Sequence, residues 1–99
     1  LDEAQEHYDH ALRYKQELPD NGVEAETLYN LANLSVNKRD FNQALEYYKQ
    51  SLTIRRKQRL RLEEGILLSE IGDTYNNLNN RERAYANYKA ALEVYQSID

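Results

Sequence analysis

Apolar and small residues return along this chain on two scales. Locally they are spaced by three or four. Leu28, Leu31, Ala32 and Ser35 form one such stripe, and Ala44, Tyr48, Ser51 and Leu52 form another. That spacing puts each set on one face of an α-helix. Over longer range the same residue classes recur every 40 positions: Ala4, Ala44 and Ala84; Tyr8, Tyr48 and Tyr88; Ala11, Ser51 and Ala91; Leu12, Leu52 and Leu92. A second series appears twice, pairing Leu28 with Leu68, Leu31 with Ile71, and Ala32 with Gly72. A helical pattern that repeats at this period marks stacked supersecondary units.

The pattern predicts five helices, at about 2–18, 23–37, 41–58, 62–78 and 81–97. Pro19-Asp20-Asn21-Gly22 is the clearest turn. Asp40 and Asn80 precede two of the helices, and their side chains can accept a bond from a free N–H of the first turn. The joint near Arg59 is punctuated differently, because no Gly or Pro lies between Phe41 and Glu64. A short polar joint is expected there; the alternative is one fused helix that exposes its packing faces. Within the stripes, Ala32, Gly72, Ala44 and Ala84 let helices approach closely, while Leu31, Ile71, Tyr48 and Tyr88 fill the space beside them. A single hairpin cannot bury its apolar face alone, so stacking supplies the core.

Leu68-x-x-Ile71-Gly72-x-x-Tyr75 followed by Ala84-x-x-x-Tyr88-x-x-Ala91 resembles the tetratricopeptide repeat. The preceding unit matches as Leu28-x-x-Leu31-Ala32 and Ala44-x-x-x-Tyr48-x-x-Ser51, with Ser35 in the Tyr place. Before it, Ala4-x-x-x-Tyr8-x-x-Ala11 supplies only a second helix. The family's usual period is about 34, and no Pro ends a unit here. HEAT-like repeats have a similar length, but the Gly/Ala–Tyr–Ala order fits them less well. The resemblance implies an all-α, right-handed superhelical stack of antiparallel hairpins. Residues 1–20 would be the second helix of an incomplete repeat, 23–60 and 62–99 two full repeats, and the whole one domain of a longer protein.

The resemblance also implies where function sits. In the family the first helix of each hairpin lines a concave face. Removing the packing stripe leaves Glu26, Tyr29, Asn30, Asn33 and Asn37 on one such helix. On the next it leaves Ile66, Ser69, Glu70, Asp73, Asn76 and Asn77. Asn can donate and accept at once, so it can pair with the backbone of an extended peptide. Tyr29 adds contact area at modest entropy cost. Glu26, Glu70 and Asp73 give the groove negative potential and favour basic or neutral protein partners. Chaperone-binding members hold peptide carboxylates with Lys and Arg on these helices. None stands at these positions, which argues against that ligand. The expected activity is a non-enzymatic scaffold or adaptor.

Composition narrows the alternatives. The chain has 99 residues, 40% hydrophobic and 30% charged, with 3 Gly, 1 Pro and no Cys. That suits a small helical domain and excludes a disulfide framework or a thiolate site. No apolar run approaches a membrane span, and a soluble protein of open compartment, cytoplasmic by preference, is expected. The net charge of −4 is uneven: residues 1–50 carry ten acids and five bases. A mildly acidic domain is a poor nucleic-acid binder. Arg55, Arg56, Lys57, Arg59 and Arg61 are the local exception. They read as complements to a helix C-terminus, or as a site for an acidic or phosphate-rich partner; no aromatic interleaves them as a stacking platform.

Other chemistry is thin. His7 and His10 are three apart, behind Glu3 and Glu6, with no further His to complete a metal site. No phosphate loop or nucleophile elbow is present, and adjacent Glu63 and Glu64 point to different sides of a helix. Neither catalysis nor a cofactor is expected. Of the nine Tyr, four (Tyr8, Tyr48, Tyr75, Tyr88) belong to the packing pattern, while Tyr47, Tyr85 and Tyr95 lie off it. With no later helix to cover Tyr85, Leu92 and Tyr95, some end-to-end self-association is expected.

Overall fold

The computed structural model describes residues 22–98. They form four helices: α1 Val23–Asn37, α2 Phe41–Lys57, α3 Arg61–Asn77 and α4 Arg81–Gln96. The expected first helix, the Pro19 turn and the His7/His10 pair lie outside the described residues. Elsewhere the expected boundaries shift by one residue at most. Each helix packs against the next in sequence, giving two hairpins, α1–α2 and α3–α4, joined through α2 and α3.

All three joints are built alike. Arg39, Arg59 and Asn79 adopt the left-handed conformation, with φ of 62°, 60° and 61°. Each closes a Schellman motif. Asp40 N–H bonds to Ser35 O at 2.8 Å and Arg39 N–H to Val36 O at 2.9 Å; Leu60 to Arg55 and Asn80 to Tyr75 repeat the long bond at 3.1 and 2.9 Å. The residue that ends one helix then starts the next. Asp40 accepts from Gln43 N–H at 3.4 Å and Asn80 from Arg83 N–H at 3.1 Å. Leu60 holds the same place without a side-chain cap. The joint near Arg59 is therefore a true chain reversal rather than a fused helix, although it lacks Gly and Pro.

The core follows the stripes. Leu28, Leu31, Ala32, Ala44, Tyr48 and Leu52 are buried in the first hairpin, and Leu68, Ile71, Tyr75, Ala84 and Ala91 in the second. Ser51 donates to Ala25 O at 2.8 Å, tying α2 to α1 inside the core. Where the first hairpin has Ala32 beside Tyr48, the second has Gly72. A Cβ on Gly72 would stand 2.7 Å from the Tyr88 ring, and one on Gly65 would stand 2.5 Å from the Tyr95 ring. Both glycines are needed for close ring-on-backbone packing.

The basic run is divided by this geometry. Arg55, Arg56 and Lys57 lie in the last turn of α2, where they complement its dipole. Arg59 is in the joint. Arg61 opens α3 rather than ending α2, a correction to the sequence reading. Glu64, only 6% exposed, is held between Arg56 Nε at 3.1 Å and Arg61 Nη1 at 3.2 Å. Arg61 Nη2 also donates to Ser97 Oγ at 2.9 Å. Glu64 and Glu63 do diverge as expected, but the burial of Glu64 was not legible. An acid three places before the buried pair Leu67 and Leu68 reads as solvated until its arginine partners are placed.

Tyr85 and Leu92 are 68% and 55% exposed. Their equivalents one repeat earlier, Leu45 and Leu52, are buried. The second hairpin thus leaves open the face that the first one covers. Tyr47, assigned off the packing stripe, is buried, and Tyr88, assigned to it, is 38% exposed.

Candidate functional site

The first helices of the two hairpins, α1 and α3, bring the expected groove residues onto one face. Glu26, Asn30 and Asn37 on α1 are exposed, as are Ile66, Asp73, Asn76 and Asn77 on α3; Tyr29, Asn33, Ser69 and Glu70 are half-buried between them. Tyr29 donates to Glu70 Oε2 across the helices at 3.5 Å.

The second helices contribute what the sequence reading did not assign to this face. Tyr48 and Tyr88 are packing residues whose hydroxyls emerge among the groove side chains. Tyr48 donates to Asn33 Oδ1 at 2.6 Å and lies 3.3 Å from Glu70 Oε2. Tyr88 donates to Asp73 Oδ1. Asn33 and Asp73 are equivalent by the 40-residue period, and so are the two tyrosines. The signal was present as a recurring separation of 15 residues, but nothing in spacing alone says which way a ring's hydroxyl points. Tyr29 and Tyr48 also meet as rings, with centroids 5.9 Å apart and planes tilted by 55°. That separation is favourable for an aromatic pair.

These contacts tune the phenols. Burial, then the nearby Glu70 carboxylate, pushes the Tyr48 hydroxyl well above the ordinary phenol range. The hydrogen bond to Asp73, reinforced by desolvation, pushes Tyr88 up to about 12. Both phenols therefore stay protonated as donors, and the Asn33, Glu70 and Asp73 acceptors are fixed in place. The side chains of Asn30, Asn37, Asn76 and Asn77 make no hydrogen bond among the described residues, so their amides remain open to a ligand.

Beside this network lies a cavity of about 280 Å³, lined by Glu26, Tyr29, Arg55, Glu63, Ile66 and Leu67. Its lining is mainly apolar, and the charged groups on it are the Glu26 and Glu63 carboxylates and the Arg55 guanidinium. Glu63 was absent from the expected groove. It arrives because Glu64 turns inward and aims its neighbour toward α1. Arg55 leans across the other side and donates to Gln58 Oε1 at 3.2 Å. With Arg56 and Arg61 already engaged by Glu64, the basic run does not present five free charges on one surface.

No described helix is long and apolar enough to cross a membrane. No curated protein is significantly similar in sequence. Among solved structures, the crystal structure of BtubC (BKLC) from P. vanneervenii is similar. The TM-score is 0.80 at 26% identity, over 98% of this chain and 40% of that chain. This chain thus spans well under half the length of that relative. Two family models described as tetratricopeptide repeat match residues 1–57 and 67–97. Helical hairpins at a 40-residue period, small residues under packed tyrosines, and a match over more than half the sequence make this chain a member of the tetratricopeptide repeat family, whose repeats mediate protein–protein interaction.

Proposed function

We propose that the face shared by α1 and α3 holds a segment of another protein, and that the segment pairs an apolar anchor with a neighbouring Lys or Arg. One observation carries this reading: an apolar cavity framed by Tyr29, Ile66 and Leu67 opens between Glu26 and Glu63. Glu70 and Asp73 extend the negative rim. The unengaged amides of Asn30, Asn37, Asn76 and Asn77 can bind a peptide backbone whatever its side chains. The tyrosine network would preorganise the acceptors, so little side-chain freedom is lost on binding.

Asn33 and Asp73 anchor tyrosines as well as facing a ligand, so removing them mixes two effects. Glu26 and Ile66 are exposed and test the surface more cleanly. Peptides selected by display against this chain would be re-measured by calorimetry on Glu26→Gln/Ile66→Ser. Loss of about tenfold or more in affinity, on the scale of one charge-assisted contact, is expected. Affinity equal to the parent's would put the binding site elsewhere.

A second reading rests on Tyr85 and Leu92, exposed where Leu45 and Leu52 are covered. That face would associate with a second copy, favoured by roughly 25 cal/mol per Å² of apolar area removed from water. Sedimentation should show a concentration-dependent dimer that Leu92→Glu removes. A sharp monomer at high concentration would exclude it.

A further inference from the structure

A second recess lies away from the groove, between the N-terminal halves of α2 and α4 and the C-terminal end of α3. Its volume is about 630 Å³, and Lys49, Tyr75, Arg83, Asp40 and Glu46 are among its lining residues. Three helices meet on the Tyr75 phenol. Lys49 Nζ donates to its oxygen at 3.0 Å. Lys49 and Arg83 also stand over its ring, 5.5 and 5.8 Å from the centroid. Tyr75 is only 7% exposed. Its oxygen accepts, and its own hydrogen has no acceptor among the described residues. Neither Lys49 nor Arg83 forms an ion pair among the described residues. The Lys49 hydrogen bond, opposed by burial and helped by Arg83, holds the phenol below its ordinary value, as these same contacts require.

We infer that this recess binds a single carboxylate, the Asp or Glu side chain of a partner protein, with Lys49, Arg83 and the Tyr75 hydroxyl as its donors. The choice of carboxylate over phosphate follows from the rest of the lining. Asp40 caps α2 through Gln43 N–H, and Glu46 is exposed on the same helix. Two cations and two carboxylates leave no net charge. A monoanion can sit on the cationic side, whereas a dianion would be repelled more strongly by Asp40 and Glu46 in the same lining. A charge-assisted bond to a planar guanidinium and an ammonium suits a carboxylate geometrically. The site is separate from the groove, so a partner could engage both, with a basic segment on one face and an acidic residue on the other.

The probe is acetyl-Ala-Glu-Glu-Ala-amide, titrated into the 99-residue chain with ¹³C-labelled Tyr and ¹⁵N-labelled Arg at constant ionic strength. The Gln-Gln peptide and inorganic phosphate are run in parallel. Saturable shifts of the Tyr75 ring and Arg83 side-chain resonances are expected with the Glu peptide. They should be about tenfold weaker for the Gln peptide and for Lys49→Gln/Arg83→Gln. Tyr75→Phe, which keeps the ring, should weaken binding in the same direction. Unsaturable shifts, or equal binding by the double variant, would overturn the site. Tighter binding of phosphate than of the Glu peptide would overturn the assignment to a carboxylate. Loss of groove binding in Glu26→Gln/Ile66→Ser leaves this titration unchanged, so the two sites fail or stand separately.

Discussion

Replacing Arg59 by glycine should stabilise the fold, and the sign of the effect is diagnostic. Arg59 sits at φ 60° in the joint between α2 and α3. A left-handed conformation costs an L-residue roughly 1–2 kcal/mol that glycine does not incur. Glycine in turn gives the unfolded chain more freedom, which offsets about 0.5–1 kcal/mol. Arg59 is exposed and its side chain makes no hydrogen bond or ion pair among the described residues, so no side-chain contact is lost. The net gain is about 0.5–1 kcal/mol, or roughly 2–8 °C in melting temperature for a domain of this size. Urea unfolding followed by circular dichroism measures it, with an unchanged m-value showing that the folded state is the same. The two companion joints calibrate the result. Arg39→Gly should gain little, because the Arg39 guanidinium lies 5.4 Å from the Phe41 ring centroid, a contact worth about 0.5–1 kcal/mol. Asn79→Gly should gain less than Arg59→Gly, since Asn tolerates the left-handed region better than Arg. If residues 41–77 formed one continuous helix, the glycine introduced in place of Arg59 would lie in its interior and cost about 0.8–1 kcal/mol. A destabilised Arg59→Gly variant would therefore refute the joint and the reasoning built on it.

Three further outcomes follow from the side chains. Arg56→Gln/Arg61→Gln leaves Glu64 buried without a cationic partner and should lose about 3 kcal/mol in urea unfolding; adding Glu64→Gln should recover part of that loss, because the uncompensated charge goes with it. Ser51→Ala removes the buried bond to Ala25 O and should cost about 1 kcal/mol, a modest figure because the equivalent position in the second hairpin is already Ala91. Tyr88 is raised to about 12 in the folded chain, against about 10 when unfolded; its contribution to stability is complete below the unfolded value and is lost as pH climbs through the folded one. Asp73→Asn should bring the Tyr88 midpoint, read from its ¹³Cζ resonance, back toward the ordinary value, and an unmoved midpoint would mean that Asp73 is not its cause.

Helix positions and the core were legible because both rest on periodicity. Leu28, Leu31, Leu68 and Ile71 announce their burial by spacing alone. Asp40 and Asn80 announce their caps by residue type. The joint at Arg59 was harder, since nothing about Arg signals a left-handed residue; the backbone adopts it there because both neighbouring helices gain packing. The shared face of α1 and α3 was legible as a set of residues but not as a network. Tyr48 and Tyr88 read as filler, since the contact that turns a packing ring into a groove donor is made across helices. Glu63 and Glu64 could be told apart in direction but not in depth, because burial of an acid depends on where Arg56 and Arg61 end up.

The three joints also separate two periods that the sequence shows as one. Left-handed residues fall at 39, 59 and 79, so the backbone repeats every helix, while the side chains repeat only every second helix. The reversal inside a hairpin and the reversal between hairpins are the same loop. Nothing in the main chain therefore marks where one repeat ends. The alternation of Ala and Gly against Tyr, and the side-chain caps of Asp40 and Asn80 that Leu60 lacks, tell α2 from α3. Removing residues 41–60 would leave an acceptable loop, with Asp40 leading directly into α3, yet would set two first helices side by side. The chain's direction is written in its turns, and its pairing is written in its small residues.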